Sequence, residues 1–321
     1  MKFSIITSMY NSYNKMGKYL KSLERQTYKN FEVIIVDDGS TDNSYFEIKN
    51  YINKSDLNLK IIRQNKNTGP GIARNIGLEN ISGDYLLFID SDDYIEDNFF
   101  YQINNVLEKK RVDCLIIDFY REINSRKILN SSIPGSVEGY INKNLALALS
   151  TGSVWCKIYK SELIKKNNVM FPDLMRYEDM VFNKRALTYC DSILYYKKPL
   201  YNYVYNKDSI VNNNAYKKIN YAFQAFDLLE KELKENFPEE LEAIFIRELL
   251  YSSVLMLSSK GYDNKKIKNF IKDLEKKYPK WVENKYIKKF SLHHKIALKF
   301  IHYRFVLGMK LLDHLKKYVF K

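Results

Sequence analysis

The sequence predicts an α/β fold: a doubly wound, mostly parallel sheet flanked by helices, with a helical C-terminal extension. Three observations carry this. Apolar runs alternate with segments of helical spacing through the first third of the chain. Those runs are continuously apolar, as in strands covered on both faces. From about residue 216 the pattern is almost entirely helical. At 321 residues, 45% hydrophobic and 28% charged, the chain can hold one sizeable α/β domain plus an appended part, and its composition is not that of a disordered chain.

Residues 2–7 (KFSIIT) read as a buried strand, and 15–26 as a helix with Met16, Tyr19, Leu20 and Leu23 on one face. FEVIIV at 31–36 is a second strand, and Ser40, Thr41 and Asp42 offer capping side chains to the helix after it. A third strand at 59–63 precedes a helix at 70–80, with Pro70 suited to its first turn. Strand 84–89, a helix at 96–109 and a strand at 112–119 follow. Beyond 121 the alternation weakens. A helix near 142–150, the segment GSVWCKIYK, a helix at 178–190 and tyrosine-rich strands at 193–205 read as a continuation of the same domain. There is no internal repeat, low-complexity tract or Pro/Gly linker to mark a boundary.

Charge and special residues narrow the chemistry. The chain carries +14 at pH 7, of which residues 262–321 hold 17 basic against five acidic side chains, a net of +12. All four histidines lie in that segment, so chemistry in the first 261 residues must run on carboxylates, hydroxyls, amides, lysines or arginines. Cys114, Cys156 and Cys190 are odd in number and form no CxxC, which fits a reducing compartment without disulfides or structural zinc. MKFSIITSMYN lacks the pattern of a signal peptide, and no stretch approaches the 18 or so apolar residues of a membrane span. A cytoplasmic protein is expected.

Four motifs could carry chemistry. The strand LLFI runs into Asp90, Ser91, Asp92 and Asp93. In an extended segment Asp90 and Asp92 face the same way, and two hard oxygen donors suit Mg²⁺ or Mn²⁺ shared with phosphate. An acidic helix cap is the plainer reading. Val36-Asp37-Asp38-Gly39-Ser40-Thr41-Asp42 ends the neighbouring strand. Turn and cap chemistry explains Gly39, Ser40 and Asp42 there, but not a doubled Asp. In Asn67-Thr68-Gly69-Pro70-Gly71-Ile72-Ala73-Arg74-Asn75, glycines before a helix and an Arg in its second turn could approach a diphosphate. It is neither a dinucleotide fingerprint nor a P-loop. Arg176-Tyr177-Glu178-Asp179-Met180-Val181-Phe182 would by itself be an acidic helix start.

Taken in order, VDDGSTD, NTGPGIARN, GDYLLFIDSDD and YEDMVF resemble the family-2 glycosyltransferases, inverting enzymes of GT-A fold. The resemblance spans residues 1 to about 210 and begins at Ser8-Met9-Tyr10-Asn11, where the family often has a V-Y-N ending. It implies a nucleotide-sugar-binding half (1–120), an acceptor half with the catalytic base (121–215) and a helical basic region (216–321). It also implies that Asp38 and the Ser8–Tyr10 loop bind the base, expected to be the uracil of a UDP-sugar, with Asp37 supporting. Arg74 and Asn75 would lie near the ribose-diphosphate, Asp90 and Ser91 at the donor, and Asp92 on Mn²⁺ or Mg²⁺ with Asp90 and a lesser contact from Asp93. Asp179 would be the general base. Glu178 is the rival, since adjacent helix residues point about 100° apart. The acceptor would meet the segment of Trp155 and Lys157, although Trp155 is equally a core residue and Lys157 equally an exposed one. The acceptor itself would be a growing, lipid-linked bacterial surface glycan of capsule, lipopolysaccharide or teichoic type.

In the basic tail, lysines interleave with an apolar stripe of Ile296, Phe300, Tyr303, Leu307 and Leu311. Such a face can lie in an anionic membrane interface, pack against the catalytic domain or form a homodimer. Nucleic acid is not expected. Two other whole-chain functions compete: a sugar nucleotidyltransferase, which would need a Gly-rich loop after the first strand, and a non-catalytic membrane scaffold, against which the intact carboxylates speak.

Overall fold

The structure, a computed structural model, describes residues 1–205 and 215–319, with side chains to residue 312. Residues 206–214 and the tail's last two residues lie outside it. The described chain divides into two compact units, one of residues 1–132, 137–143 and 152–205, the other of 133–136, 144–151 and the chain from 215 on.

The first unit is a sheet covered by helices. Strands β1 (Phe3–Met9), β2 (Phe31–Asp37), β3 (Leu59–Arg63) and β4 (Tyr85–Phe88) alternate with helices α1 (Gly17–Glu24), α2 (Ser44–Ile52) and α3 (Pro70–Glu79). After β4 come the short β5 (Tyr94–Ile95), α4 (Phe99–Lys109), β6 (Cys114–Ile123), β7 (Arg126–Asn130) and β8 (Gly139–Ile141). Then follow α5 (Lys143–Leu149), which apart from its first residue belongs to the second unit, and β9 (Lys157–Lys160), α6 (Ser161–Lys166), α7 (Glu178–Thr188) and β10 (Ile193–Val204) of the first. The sheet order is β3-β2-β1-β4-β9-β6-β10-β5, with β7 on β6 and β8 on β10.

Strands β3, β2, β1 and β4 are mutually parallel, as their apolar runs predict, and β10 joins β6 in parallel. The antiparallel members β5, β7, β8 and β9 are short additions with no strong sequence pattern. Two differences from the sequence reading stand out. The helix expected from 96 begins at Phe99 because Tyr94–Ile95 pair with β10. The helix expected near 142–150 falls mainly in the second unit.

Alternation along each strand sends side chains to both faces. Phe3 and Ile5, Phe31, Val33 and Ile35, and Leu87 join Tyr19 and Leu23 of α1 and Phe99, Phe100 and Ile103 of α4 in one core. Phe100 stacks on Phe31 at 4.7 Å between centroids. On the other face Phe88 meets Phe171 and Phe182 edge-on, and those two stack at 4.1 Å. Each buried aromatic contributes on the order of 2–3 kcal/mol of transfer free energy. This fixes where β1, β2 and β4 end, and all three deliver their carboxyl ends to one edge, where parallel sheets bind ligands.

The second unit is helical, as expected: α8 (Ala215–Leu233), α9 (Pro238–Ile244), a π-helical stretch at Phe245–Tyr251 and α10 (Ser252–Ser259), then α11 (Asn264–Glu275), α12 (Leu292–His302) and α13 (Val306–Val319). Asp263 caps α11 by accepting from the amides of Lys265 and Lys266, and Ser291 caps α12. Among the described residues no helix is long and apolar enough to cross a membrane.

Candidate active site

The loop after β2 is built around Asp38. Its Oδ1 accepts from Gln64 Nε2 (2.8 Å), the Thr68 amide (2.8 Å) and the Thr68 hydroxyl (3.1 Å), and its Oδ2 accepts from the Gly69 amide (2.8 Å). Burial pushes this carboxyl up while the amides of Thr68 and Gly69 pull it down. The carboxylate therefore clamps the loop after β3 that starts α3. Its neighbour Asp37 is buried, accepts from the Ser40 amide at 3.1 Å, and has Oδ2 3.3 Å from Arg63 Nε. Gly39 turns the chain at φ +69°, and a Cβ there would sit 2.5 Å from the Lys66 carbonyl carbon, so no other residue fits. Asn11, itself at φ +47°, accepts from the amides of Thr41 and Asp42. Ser8, half-buried, and Tyr10, 43% exposed, lie beside this loop at the end of β1.

The second centre is Arg74. The guanidinium reaches acids from two other elements: Nη1 donates to Asp179 Oδ1 at 2.6 Å and Glu178 Oε1 at 3.1 Å, and Nη2 donates to Asp90 Oδ1 at 2.9 Å. Its carbon end lies 5.4 Å from the Phe171 ring. The three acids hold its pKa above the ordinary arginine value against the cost of burial. Helix α3 can approach the start of α7 because Gly71 has no side chain: a Cβ would stand 3.2 Å from Glu178 Cγ and from the Pro172 carbonyl. Tyr177, just before α7, takes a left-handed conformation at φ +63°, uncommon for a bulky residue. It directs Glu178 and Asp179 to Arg74 at the start of the helix.

The two acids differ in access. Asp179 keeps 23% of its side-chain surface and Asp90 keeps 28%, against 9% for Glu178. Burial pushes the Asp179 carboxyl up to about 8; Glu178 and Asp90 add to the rise, whereas Arg74 and the Val154 amide oppose it.

At the end of β4, Asp92 is half-buried and its carboxyl is raised by burial and then by the Asp90 charge, with Lys15 acting the other way. Asp90 and Asp92 thus offer two hard oxygen donors whose mutual repulsion a divalent cation relieves, and they fit Mg²⁺ or Mn²⁺ in chemistry. Among the described residues no group of three or more His, Cys, Asp or Glu side chains is arranged to hold a metal, so remaining ligand positions would belong to substrate oxygens and water. Ser91 sits between them, its Oγ 3.2 Å from that of Ser12.

Several expected contacts are corrected by these positions. Asp93 is fully buried, with Oδ2 accepting from Tyr201 (2.6 Å) and Oδ1 from the Val204 amide (2.7 Å). Both of its oxygens are thus engaged inside the fold. Asn75 spends its amide on the backbone of Phe171, donating to its carbonyl at 3.0 Å and accepting from its amide at 2.9 Å. Arg74 is engaged by acids rather than left facing a diphosphate. Trp155 is core: it stacks on Tyr201 at 4.6 Å and meets Phe119 edge-on. Lys157 is fully buried and donates to the Ser153 carbonyl at 2.9 Å, so it is not exposed to an acceptor phosphate. Sequence reasoning missed Gln64 and Thr68 as partners of Asp38, and Tyr201, which also accepts from the Asp90 amide at 3.2 Å. The period-two tyrosines at 201, 203 and 205 were the available signal for Tyr201, and packing accounts for only its ring.

A parallel sheet delivering carboxylates at its strand ends, with antiparallel additions and appended helices, defines a glycosyltransferase of GT-A fold. The chain belongs to Glycosyl transferase family 2, which it matches over residues 4–167. It is 32% identical over 268 residues to a provisionally named glycosyltransferase, EpsH, of Bacillus subtilis (strain 168), covering 79% of this chain and 76% of that one. It is 30% identical over 257 residues to the poly(ribitol-phosphate) beta-N-acetylglucosaminyltransferase TarS of Staphylococcus aureus (strain Mu50 / ATCC 700699), covering 77% of this chain but 44% of TarS. The crystal structure of S. aureus TarS 1-349 in complex with UDP-GlcNAc superposes with a TM-score of 0.71 at 24% identity, covering 99% of this chain and 92% of that one. More distant is a mannosyltransferase, PcManGT from Pyrobaculum calidifontis, in complex with GDP-Man and Mn²⁺, at a TM-score of 0.59 and 14% identity, covering 98% and 86%.

Proposed function

We propose that this glycosyltransferase moves a sugar from a UDP-sugar to a hydroxyl of a growing bacterial surface polymer, with inversion at the anomeric carbon. The observation that carries the reading is the Arg74 cluster, which brings Asp90 at the end of β4 within one guanidinium of Asp179 at the start of α7. The TarS name and its UDP-GlcNAc complex support the donor and polymer classes.

In this reading Ser8, Tyr10 and the Asp38-clamped loop hold the nucleotide. Asp38 acts by shaping the loop, with both oxygens committed to Gln64, Thr68 and Gly69. Asp90 and Asp92 would hold Mn²⁺ or Mg²⁺, which when bound supplies charge neutralisation of the leaving diphosphate. Asp179 takes the acceptor hydroxyl's proton as its oxygen attacks the face opposite the diphosphate. One displacement converts an α-linked donor into a β-linked product. Asp179 is favoured over Glu178 because it retains the greater access, and its raised pKa of about 8 is suited to taking a proton near neutral pH. Arg74 positions both ends of this system.

The acceptor in this reading is lipid-linked, and the protein works at the inner face of the plasma membrane. The test is nucleotide release from a panel of UDP-, GDP- and CMP-sugars with Mn²⁺ or EDTA, with Asp92→Asn alongside. Metal-dependent release from a UDP-sugar, lost in the variant, is the expected result. Absence of nucleotide binding to any donor overturns the reading.

A further inference from the structure

In the helical unit, the turn at Trp281–Glu283, the segment Lys285–Lys289 and helix α12 enclose a groove of about 500 Å³. Its floor is apolar: Trp281 and Leu298 are buried, and Ile287 is half-buried. The Trp281 indole N–H is satisfied by Glu275 at 3.0 Å, leaving its ring to the groove. The rim is basic, with Lys288, Lys295 and Lys299 beside His302, and among the described residues no acid lines it. Among the described residues the ammonium groups of Lys288, Lys295 and Lys299 have no ion pair or hydrogen bond. By contrast Lys285, on the same segment, pairs with Glu239.

The surface around the groove is also unusual. Val282 (43% exposed) and Tyr303 (74%) stand at its edge, and Leu292 (72%), Phe305 (48%), Leu307 (66%) and Leu311 (58%) follow on α12, the turn after it and α13. The stripe read from the sequence therefore divides. Ile296 and Phe300 are half-buried, while Tyr303, Leu307 and Leu311 project to solvent.

We infer that this face is a docking surface for an anionic phospholipid bilayer, with lysines at the headgroups and the exposed Val282 and Tyr303 at the acyl boundary. Charge decides the occupant. A second copy would oppose three unpaired lysines to the same three, a repulsive arrangement. An anionic headgroup layer satisfies them and accepts the apolar side chains beside them. Lysine stems lie along apolar surface while their heads stay at the polar boundary, and Tyr favours that same interface. The inference names the surface behind the membrane location in the proposed function but does not rest on transfer: vesicle binding is read without turnover, so its failure leaves the enzymatic reading standing.

The experiment is co-sedimentation of the full chain with phosphatidylcholine vesicles, with and without phosphatidylglycerol. The wild type should bind only the anionic vesicles and lose binding as salt rises. The triple variant Lys288→Gln/Lys295→Gln/Lys299→Gln should bind about a hundredfold more weakly, since each lysine near an anionic surface is worth about fivefold. Lys21→Gln/Lys54→Gln/Lys109→Gln, which removes equal charge from exposed sites in the other unit, should bind within a fewfold of wild type. Tyr303→Ser should weaken binding even with all lysines present. No binding by the wild type overturns the inference, as does equal loss in the two triple variants. Self-association abolished by the groove substitutions would instead assign the face to a second copy.

Discussion

Arg74 Nη1 donates to Asp179 Oδ1 at 2.6 Å across 105 positions of sequence. The same guanidinium holds Glu178 and Asp90, so one positive charge serves three acids. Burial pushes the Asp179 carboxyl up to about 8, and the surplus of acids over this one guanidinium adds to the rise despite a direct ion pair. A group poised this way is unfavourable to the folded state and useful to a proton transfer, as in many active sites.

Replacing Asp179 by Asn removes the proposed base but keeps an oxygen that can accept from Arg74. Turnover should fall by about 10²–10⁴-fold, the usual share of general-base catalysis, while UDP affinity measured by calorimetry stays within a fewfold. Glu178→Gln should lower turnover less. The reverse order of the two effects would transfer the role to Glu178.

Acid titration should move activity and stability in opposite directions. The base must be ionised, so kcat/KM for the free enzyme should rise with pH through about 8. For folding, the Asp179 carboxyl has a folded value above its unfolded value near 3.9. Its contribution is full below that unfolded value and is lost as pH rises through the folded one. The Asp179→Asn variant should therefore match wild type near pH 4 and gain on it toward pH 9 in thermal melts. A constant difference in Tm across that range would remove Asp179 from the linkage.

Removing the shared cation should expose what it balances. Arg74→Gln leaves Asp90, Glu178 and Asp179 to repel one another in a partly buried space, at a cost of about 3–5 kcal/mol. The pH–rate limb should move upward, because Arg74 opposes the rise in the Asp179 value. Lys at this position restores charge without the forked geometry, so Arg74→Lys should recover part of the limb's position but little of the rate. An unmoved limb in Arg74→Gln would show that Asp179 does not report on this pair.

How much of this was legible in the sequence depended on period and spacing. The apolar run at 31–36 fixed β2, a parallel strand buried on both faces, while the shorter LKIIR at 59–63 marked β3, the half-exposed strand at the sheet edge. The two-residue β5 has no period to read, and β9 is hidden in GSVWCKIYK, where its neighbours are equally apolar. Asp90, Asp92 and Asp179 were visible as acids out of place at element ends. The partners chosen by Arg74 were not, since an Arg in the second turn of α3 suits a diphosphate as well as three carboxylates. Trp155 and Lys157 show the same limit. A Trp and a Lys in a loop-like segment read as binding residues, but the antiparallel insertion of β9 between β4 and β6 carries them inward.

Asp38 gives a last test, separating a loop-shaping carboxylate from one reserved for the base. Its two oxygens satisfy two backbone amides, a hydroxyl and an amide side chain. In Asp38→Asn one oxygen becomes an NH₂ group, so either the Gly69 amide or the Gln64–Thr68 side must face a donor. The unmet group should cost about 1–3 kcal/mol. At about 2–4 °C per kcal/mol, the expected loss is several degrees in Tm. UDP affinity should fall through a loosened 64–69 loop, with faster amide exchange across Thr68 and Gly69. Asp38→Asn with unchanged Tm and unchanged exchange, yet weaker UDP binding, would instead place the carboxylate in direct contact with the nucleotide.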